Sequence, residues 1–393
     1  MGADLTALHP GPIMTPSMLR YSTAGESHGK CLITSIEGLP YGTPVSLDRV
    51  NAELLRRQGG YGRGARMKLE TDQAEVITGT RKGHTLGSIV TLQIMNRVQN
   101  TEDLNPITRP RPGHADLAGA IKFGTEDARD VAERSSARET AARVAAGAFA
   151  EGLLAEFGIR VLGYVVEIGG VASDTRLEDP DEIARVREAS MFYTLDPALD
   201  ERLKAKVDEI KQAGDTLGGL FEVRVFNVPP GLGSHAGWED KLDGSLARAL
   251  MSVQTVKAVE VGLGFEAARR QGTQMHDEIV RADDGRLARS RNNAGGIEGG
   301  ITNGQTVVLR AACKPISTLR KPMQTVDLAS REPAQALYER SDVCVVPAAS
   351  VIGQAVVSFE LARAFLAKFG GDTYDETRQR FDAYRKQMER YVR

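Results

Sequence analysis

The sequence predicts a mixed α/β or α+β chain, and three observations predict it. Short strand-like runs alternate loosely with helical runs from Met18 to the far end. No internal repeat on the scale of roughly 20–50 residues interrupts that order, and no low-complexity linker cuts the chain. The 393 residues are 41% apolar, ample material for a packed core.

Residues 1–17 carry Pro10, Pro12 and Pro16 without hydrophobic periodicity and read as a loose tail. Order is expected from Met18, followed by a small-residue loop, Ser22 to Gly29, that holds Glu26 and His28. A strand is expected over 31–37. Ser46 reads as the cap of a helix with Asp48 in its first turn, Val50, Leu54 and Leu55 as its apolar stripe, and Gly59-Gly60 as its end. The glycine-rich basic loop 58–68 follows. With Arg56, Arg57, Arg63 and Arg66 it reads either as a solvated surface loop or as a lid over a polyanion.

Strands are expected over 74–79 and 86–96. Arg109 to Thr140 then opens with two Arg-Pro steps and a Gly113-His114 turn, and closes on Arg134-Ser135-Ser136 at the mouth of a helix, 138–157, that Gly158 stops. Ala141, Ala142, Ala145, Ala146, Ala148 and Ala150 make that helix small on several faces, which places it inside the molecule. A strand over 159–168 follows. Asp196-Pro197 then opens a charged helix that Gly214 closes. A strand over 220–228, a helix over 241–253 and a strand over 256–261 come next. Asn292 to Gly304 is the densest glycine region, leading into a strand over 306–312 and the cluster Lys314-Pro315-Ile316-Ser317-Thr318. Arg340-Ser341-Asp342 precedes the apolar run 343–346, and helices over 348–369 and 374–391 finish the chain.

Fifty Lys and Arg nearly balance 52 Asp and Glu, so no global basic field argues for nucleic acid or membrane. Aromatics, at 5%, are too few for a base-stacking platform. Cys31, Cys313 and Cys344 form neither a disulfide framework nor a zinc pattern, and each is expected as a free buried thiol. With no signal peptide and no run of about 18 apolar residues, the chain reads as soluble and from a reducing compartment. No metal motif is present.

His28 and His114 stand in glycine-flanked loops and are the candidate proton carriers. Ser135 and Ser136 lack a nucleophile-elbow context and read as phosphate ligands. The glycine clusters match neither a dinucleotide fingerprint nor a P-loop. Arginine and hydroxyl clusters suit a multiply anionic small molecule together with a phosphorylated cofactor. The residues alone name no reaction, and a polyanion-binding protein using the 56–68 loop stays open.

Taken jointly, the motifs are similar to one family. Thr23-Ala24-Gly25-Glu26-Ser27-His28-Gly29, Arg57-Gln58-Gly59-Gly60-Tyr61-Gly62-Arg63-Gly64, Arg111-Pro112-Gly113-His114-Ala115-Asp116 and Arg134 to Thr140 occur in order. Gly262 to Glu266, Asn292 to Gly304, Lys314 to Thr318 and Arg340-Ser341-Asp342 follow them. Over roughly residues 18 to 390 the chain resembles the chorismate synthases.

That resemblance implies one α+β domain over 18–393, with helices sandwiched between antiparallel β-sheets, in a cytoplasmic homotetramer. It implies elimination of phosphate from 5-enolpyruvylshikimate 3-phosphate to give chorismate, with reduced FMN required and no net redox change. By the same resemblance Arg134, Ser135, Ser136, Gln254, Thr255, Gly299, Lys314, Pro315, Ile316, Ser317, Thr318 and Arg340 contact FMN. Arg57 and Arg63 match positions for substrate or the reductant NADPH, and Arg66, Arg111 and Arg138 anchor substrate. His114 protonates the departing phosphate, His28 protonates reduced flavin, and Asp342 acts with flavin N5 on the ring proton. Ser341 stands where many relatives have histidine. An external flavin reductase or another source of reduced FMN is expected as partner, with no nucleic acid and no membrane. An inactive relative acting as an assembly subunit is the remaining alternative, against which the intact His28, His114 and Asp342 count.

Overall fold

The computed structural model describes residues 18–64, 71–99, 103–283, 285, 287–339, 341–389 and 391. Two antiparallel sheets enclose a double layer of helices. The first sheet is formed by β1 (Arg20–Ala24), β2 (Cys31–Glu37), β3 (Ala74–Thr78) and β4 (Val90–Met95), in the order β1-β2-β4-β3. Its β2 alternates strictly. Leu32, Thr34 and Ile36 turn inward, whereas Cys31, Ile33 and Ser35 face out. The second sheet holds β5 (Arg160–Ile168), β6 (Val171–Ala172), β7 (Gly219–Phe226), β8 (Val256–Val261) and β9 (Val307–Cys313), in the order β8-β9-β7-β5-β6.

Between the sheets lie α1 (Leu47–Gln58) and, after the site helices α2 (Asp116–Phe123) and α3 (Arg129–Ser135), the Ala-rich α4 (Thr140–Glu156). The peripheral α5 (Pro180–Ala189) and α6 (Asp200–Ala213) precede α7 (Leu242–Met251), the long α8 (Val346–Phe369) and α9 (Tyr374–Met388). Helix α4 packs on β1, β2 and β4, α8 packs on β5 and β7, and the two helices pack on each other. The expected sandwich of helices between antiparallel sheets is the observed fold.

Small residues set the spacing of these layers. A Cβ on Gly147 of α4 would lie 2.3 Å from the Ala355 carbonyl of α8, and one on Gly163 of β5 would lie 2.3 Å from the Ser350 carbonyl. Backbone meets backbone at both places, so any larger side chain would force the layers apart. Helix α8 is apolar all round because it is covered on all sides. Its length and composition match a membrane span, yet 83% of its apolar window is buried inside the protein.

Local signals hold at several ends. Ser46 accepts the Arg49 N–H as the cap of α1, and Gly214 ends α6 in the left-handed region at φ 74°. The structure corrects other expectations. Leu55 is exposed, because the buried face of α1 runs through Val50 and Leu54 and continues to Arg57. The strand expected over 86–96 is shortened to β4, preceded by the turn that donates Leu86 N–H to Gly79. Helices α2, α3 and α5 were not expected at all. The 292–304 stretch folds as a hairpin, Ile297–Glu298 with Ile301–Thr302, turning at Gly299 and Gly300 with φ of 61° and 88°.

Cys313 and Cys344 are buried free thiols as expected, and burial pushes them up to about 11 and about 12. Cys31 is only half-buried, since it sits on the outward face of β2. The tail expected over 1–17 lies outside the described residues.

Candidate active site

A cavity of about 430 Å³ opens where the N-terminal ends of α4 and α8 meet the loops of both sheets. That volume suits a small-molecule site. Its walls come from seven separated stretches, carrying His28, Arg57 with Arg63, Arg111 with His114, Ser135 to Arg138, Gln254 with Thr255, Lys314 with Thr318, and Asp342 with the start of α8.

The His114 wall is a tight turn. Gly113 stands at φ 75°, a left-handed conformation that glycine adopts without strain, and His114 N–H donates to the Arg111 carbonyl. The turn places both residues on Asp116, whose carboxylate is fully buried. Arg111 donates its backbone N–H, Nε and Nη2 to that carboxylate at 3.1, 2.8 and 3.0 Å, and His114 donates Nδ1–H to Oδ1. Burial alone would raise the Asp116 carboxyl, but hydrogen bonds and charge from His114 and Arg111 hold it well below the usual range. With Nδ1 committed to Asp116, ring nitrogen Nε2 is the one on the opposite edge of His114.

The second histidine has its own carboxylate. Glu133 of α3 accepts the His28 backbone N–H at 2.8 Å and Nδ1–H at 3.0 Å. The neighbouring Arg134 turns the other way, donating to the carbonyls of Thr23 and Gly25, so it fastens the His28 loop rather than lining the cavity. Ser136 donates to Ser27 across the same wall at 3.2 Å.

Two arginines share one buried acid. Asp72 accepts from Arg57 Nη1 at 3.3 Å and from Arg138 Nη1, while Arg57 also donates to Thr140 Oγ1 and the Ala137 carbonyl. Complete burial pushes the Arg57 guanidinium down to about 10, Asp72 opposing and Arg63 and Arg138 adding to the fall. It remains a cation at neutral pH. Arg138 Nη2 is buried without a protein partner, and so is Gln254 Oε1, whose amide nitrogen donates to Glu139.

Asp342 faces the cavity from the segment before α8. Its Oδ1 accepts the Gly64 N–H, and Arg63 Nε lies 3.4 Å from Oδ2. Lys314 Nζ donates to Ser317 Oγ at 3.0 Å, and Ser317 in turn donates to the Gly113 carbonyl, docking the second basic-hydroxyl cluster on the His114 turn. Burial, with Lys257 adding, holds the Lys314 ammonium below its ordinary value.

The cavity therefore gathers His28, His114, Asp342, Arg57, Arg63, Arg111, Arg138, Ser135, Ser136, Gln254, Thr255, Lys314, Ile316, Ser317 and Thr318. It does not gather Arg134, Pro315 or Gly299. Gly299 lies at the tip of its own hairpin, with no atom within 4 Å of where a Cβ would stand. Arg66 and Arg340 lie outside the described residues. Arg56, grouped with the lid arginines by sequence, points instead to Gln354 and Glu53 in the helical layer.

Sequence reasoning missed Asp72, Glu133 and Asp116 as partners. The histidine-to-aspartate spacing at 114 and 116 could have suggested one of them. Nothing in the order of residues brings Asp72 to Arg138 or Glu133 to His28. Among the described residues no His, Cys, Asp and Glu cluster could hold a metal ion.

A pair of carboxylate-backed histidines, an aspartate and a rim of arginines around one cavity suits acid–base work on a multiply anionic substrate. Comparison with known proteins gives the family. The family model described as chorismate synthase matches residues 19–366. The chorismate synthase of Geobacter metallireducens is 52% identical over 387 residues, covering 93% of this chain and 98% of that protein. The chorismate synthase of Trichlorobacter lovleyi is 53% identical over 386 residues, with the same coverage of 93% and 98%. A solved structure titled "Crystal Structure of Chorismate Synthase" superposes with a TM-score of 0.78 at 42% identity, covering 94% of this chain and 98% of that one. The chain belongs to the chorismate synthase family, a family of carbon–oxygen lyases acting on phosphate.

Proposed function

We propose that this chain converts 5-enolpyruvylshikimate 3-phosphate to chorismate by eliminating phosphate, with reduced FMN bound in the same cavity. The observation that carries the reading is the joint placement of two carboxylate-backed histidines, Asp342 and four arginines around one space. The substrate has two carboxylates and a phosphate, and Arg57, Arg63, Arg111 and Arg138 supply matching guanidinium groups.

The donor set fits the flavin. Arg138 Nη2 and Gln254 Oε1 are buried polar atoms that the protein leaves unpartnered, and both belong to residues that line the cavity. Ser135, Ser136, Thr255 and the Lys314 to Thr318 segment would hold the cofactor with them. Bound reduced FMN supplies an electron-rich ring that favours cleavage of the C–O bond.

The remaining chemistry falls to the chain's own residues. Phosphate is a poor leaving group as a trianion, so a proton delivered from His114 and the fixed charge of Arg111 lower its barrier. Asp342 accepts the ring proton at a carboxylate oxygen, once Arg63 turns from it to the substrate. His28 holds a proton at the edge of the site where negative charge would develop. The residues from 18 onward act as one catalytic domain.

We also assign the protein to the cytoplasm, a setting that the free thiols Cys31, Cys313 and Cys344 fit. Assembly as a homotetramer would cover apolar groups now exposed, such as Ile121 and Phe123 on α2. Reduced flavin comes from an external reductase or another supply, with NADPH as the ultimate reductant.

The test is anaerobic turnover of 5-enolpyruvylshikimate 3-phosphate with chemically reduced FMN, following chorismate and phosphate together. Stoichiometric release of both is expected. A folded protein that binds flavin and releases neither would refute the reading. Adding NADPH and oxidised FMN aerobically should give no turnover without a reductase, and unaided turnover would contradict the external supply.

A further inference from the structure

The two histidines differ in how their carboxylates are spent. Asp116 meets three donors from Arg111 besides the His114 ring, so much of its charge is already answered by a guanidinium. Glu133 is used differently. Its Oε2 takes the His28 backbone N–H at 2.8 Å, and both carboxylate oxygens lie within 3.1 Å of Nδ1. The Glu133 carbonyl also accepts the Ser27 N–H at 3.2 Å. The nearest guanidinium, Arg129 one helical turn away, stands 3.6 Å off and makes its shorter contact, 2.8 Å, to Glu339.

From this geometry we infer that Glu133 is a positioning residue for His28: it fixes the ring within its loop by holding Nδ1, with Nε2 on the edge opposite the carboxylate. The glutamate side chain is 6% exposed and the histidine 22%, so the hydrogen bond between them is largely shielded from water. The carboxyl itself is consistent with this. Burial would raise it, yet the His28 hydrogen bonds and the charges of His28 and Arg129 bring it below the ordinary glutamate value. Among the described residues, the charged groups around His28 include Glu133 and Arg129 of α3, then Glu339 through Arg129, with Glu26 in the same loop.

Arg129 joins Glu133 to Glu339, and Glu339 accepts from Arg111 Nη1 at 3.2 Å. The His28 loop and the His114 turn are thereby held by one chain of charges running through α3. Glu133 is its end on the His28 side.

The catalytic arm of this inference rests on His28 being a proton donor, and the test separates the two. Full-length protein labelled with ¹⁵N-histidine is followed by NMR, with His28→Gln used to assign the ring among six histidines. In the unaltered protein the His28 Nδ1–H should exchange slowly with water, held by the glutamate. In Glu133→Ala it should exchange about tenfold faster, the loss of roughly one hydrogen bond. Glu133→Gln, which keeps size and an acceptor oxygen, should fall between the two and serves if the alanine variant fails to fold. Unchanged exchange in both folded variants would overturn the inference. Turnover is then followed in the same variants. If the ring loosens and kcat falls with KM kept, both statements hold. If the ring loosens and kcat stays, Glu133 still positions His28, and it is the proton-donor role of His28 that falls.

Discussion

Gln254 and Gln354 make an instructive pair. Both are amides among arginines and glutamates, Gln254 half-buried at the cavity and Gln354 buried inside the helical layer. Gln354 is fully used by the protein. Its Oε1 accepts from Arg56 Nη2, Arg187 Nη1 and the Gly163 N–H at 2.8, 3.0 and 2.9 Å, and its nitrogen donates to Glu151 at 2.9 Å. Gln254 donates to Glu139 and leaves its oxygen without a partner. Residue types do not separate the two places. What separates a binding wall from a structural hub is whether the protein has already answered its own polar groups.

The largest effects should fall on the cavity side and leave the hub alone. His114→Ala and Asp342→Asn should each lower kcat by roughly 10²–10⁴, with the urea midpoint and flavin binding retained. Turnover within threefold of the unaltered protein would refute their roles. The hub should behave oppositely. Gln354→Leu removes the acceptor that three buried donors share, leaving the Gly163 N–H unanswered, and should cost about 3 kcal/mol in urea unfolding, while kcat per folded molecule is kept. A stable Gln354→Leu protein that had lost turnover would break the comparison.

The hub also carries a pH signature. Burial, then the nearby Glu53, pushes the Glu151 carboxyl up to about 7, against 4.5 for an ordinary glutamate. Between those values the unfolded chain gives up a proton that the folded one keeps. Glu151 therefore lowers stability as pH rises through that window, and its full penalty is present above the folded value. Glu151→Gln should remove this fall and stabilise the protein at pH 7.5 by about 1–2 kcal/mol, read as urea midpoints at pH 5 and 7.5. A midpoint equally pH-dependent in the variant would refute the assignment. The smallest effect belongs to Gln254→Leu, which should weaken FMN about tenfold, close to one hydrogen bond, with the unfolding midpoint unmoved. Titration of flavin fluorescence checks it.

Regular elements were legible where one face is buried and the other is wet. The expected ranges 31–37 and 256–261 coincide with β2 and β8, and the caps at Ser46 and Gly214 act as expected. Helix α5 was missed although Asp179 caps it and Pro180 opens it, because its short charged sequence has little periodicity to notice. The histidines, Asp342 and most of the arginines were legible through the family motifs. Their carboxylates were not. Asp72, Asp116 and Glu133 acquire meaning only from what stands across the fold, and a cavity wall made of distant stretches leaves no local pattern. Leu55 shows the same limit on a single helix, where one position of rotation separates core from solvent.

The clasp beside Asp342 bears on how the enzyme is made. Gly62 accepts the Val343 N–H at 2.8 Å, Gly64 donates to Asp342, and a Cβ on Gly60 would lie 2.5 Å from Pro347. These contacts join the two ends of a loop that contains most of the chain, and such closure is slow because its entropy must be met before its contacts form. During synthesis the first half of the wall must wait, incomplete, until the last helices have left the ribosome. Competence is thus among the latest properties the nascent polypeptide acquires.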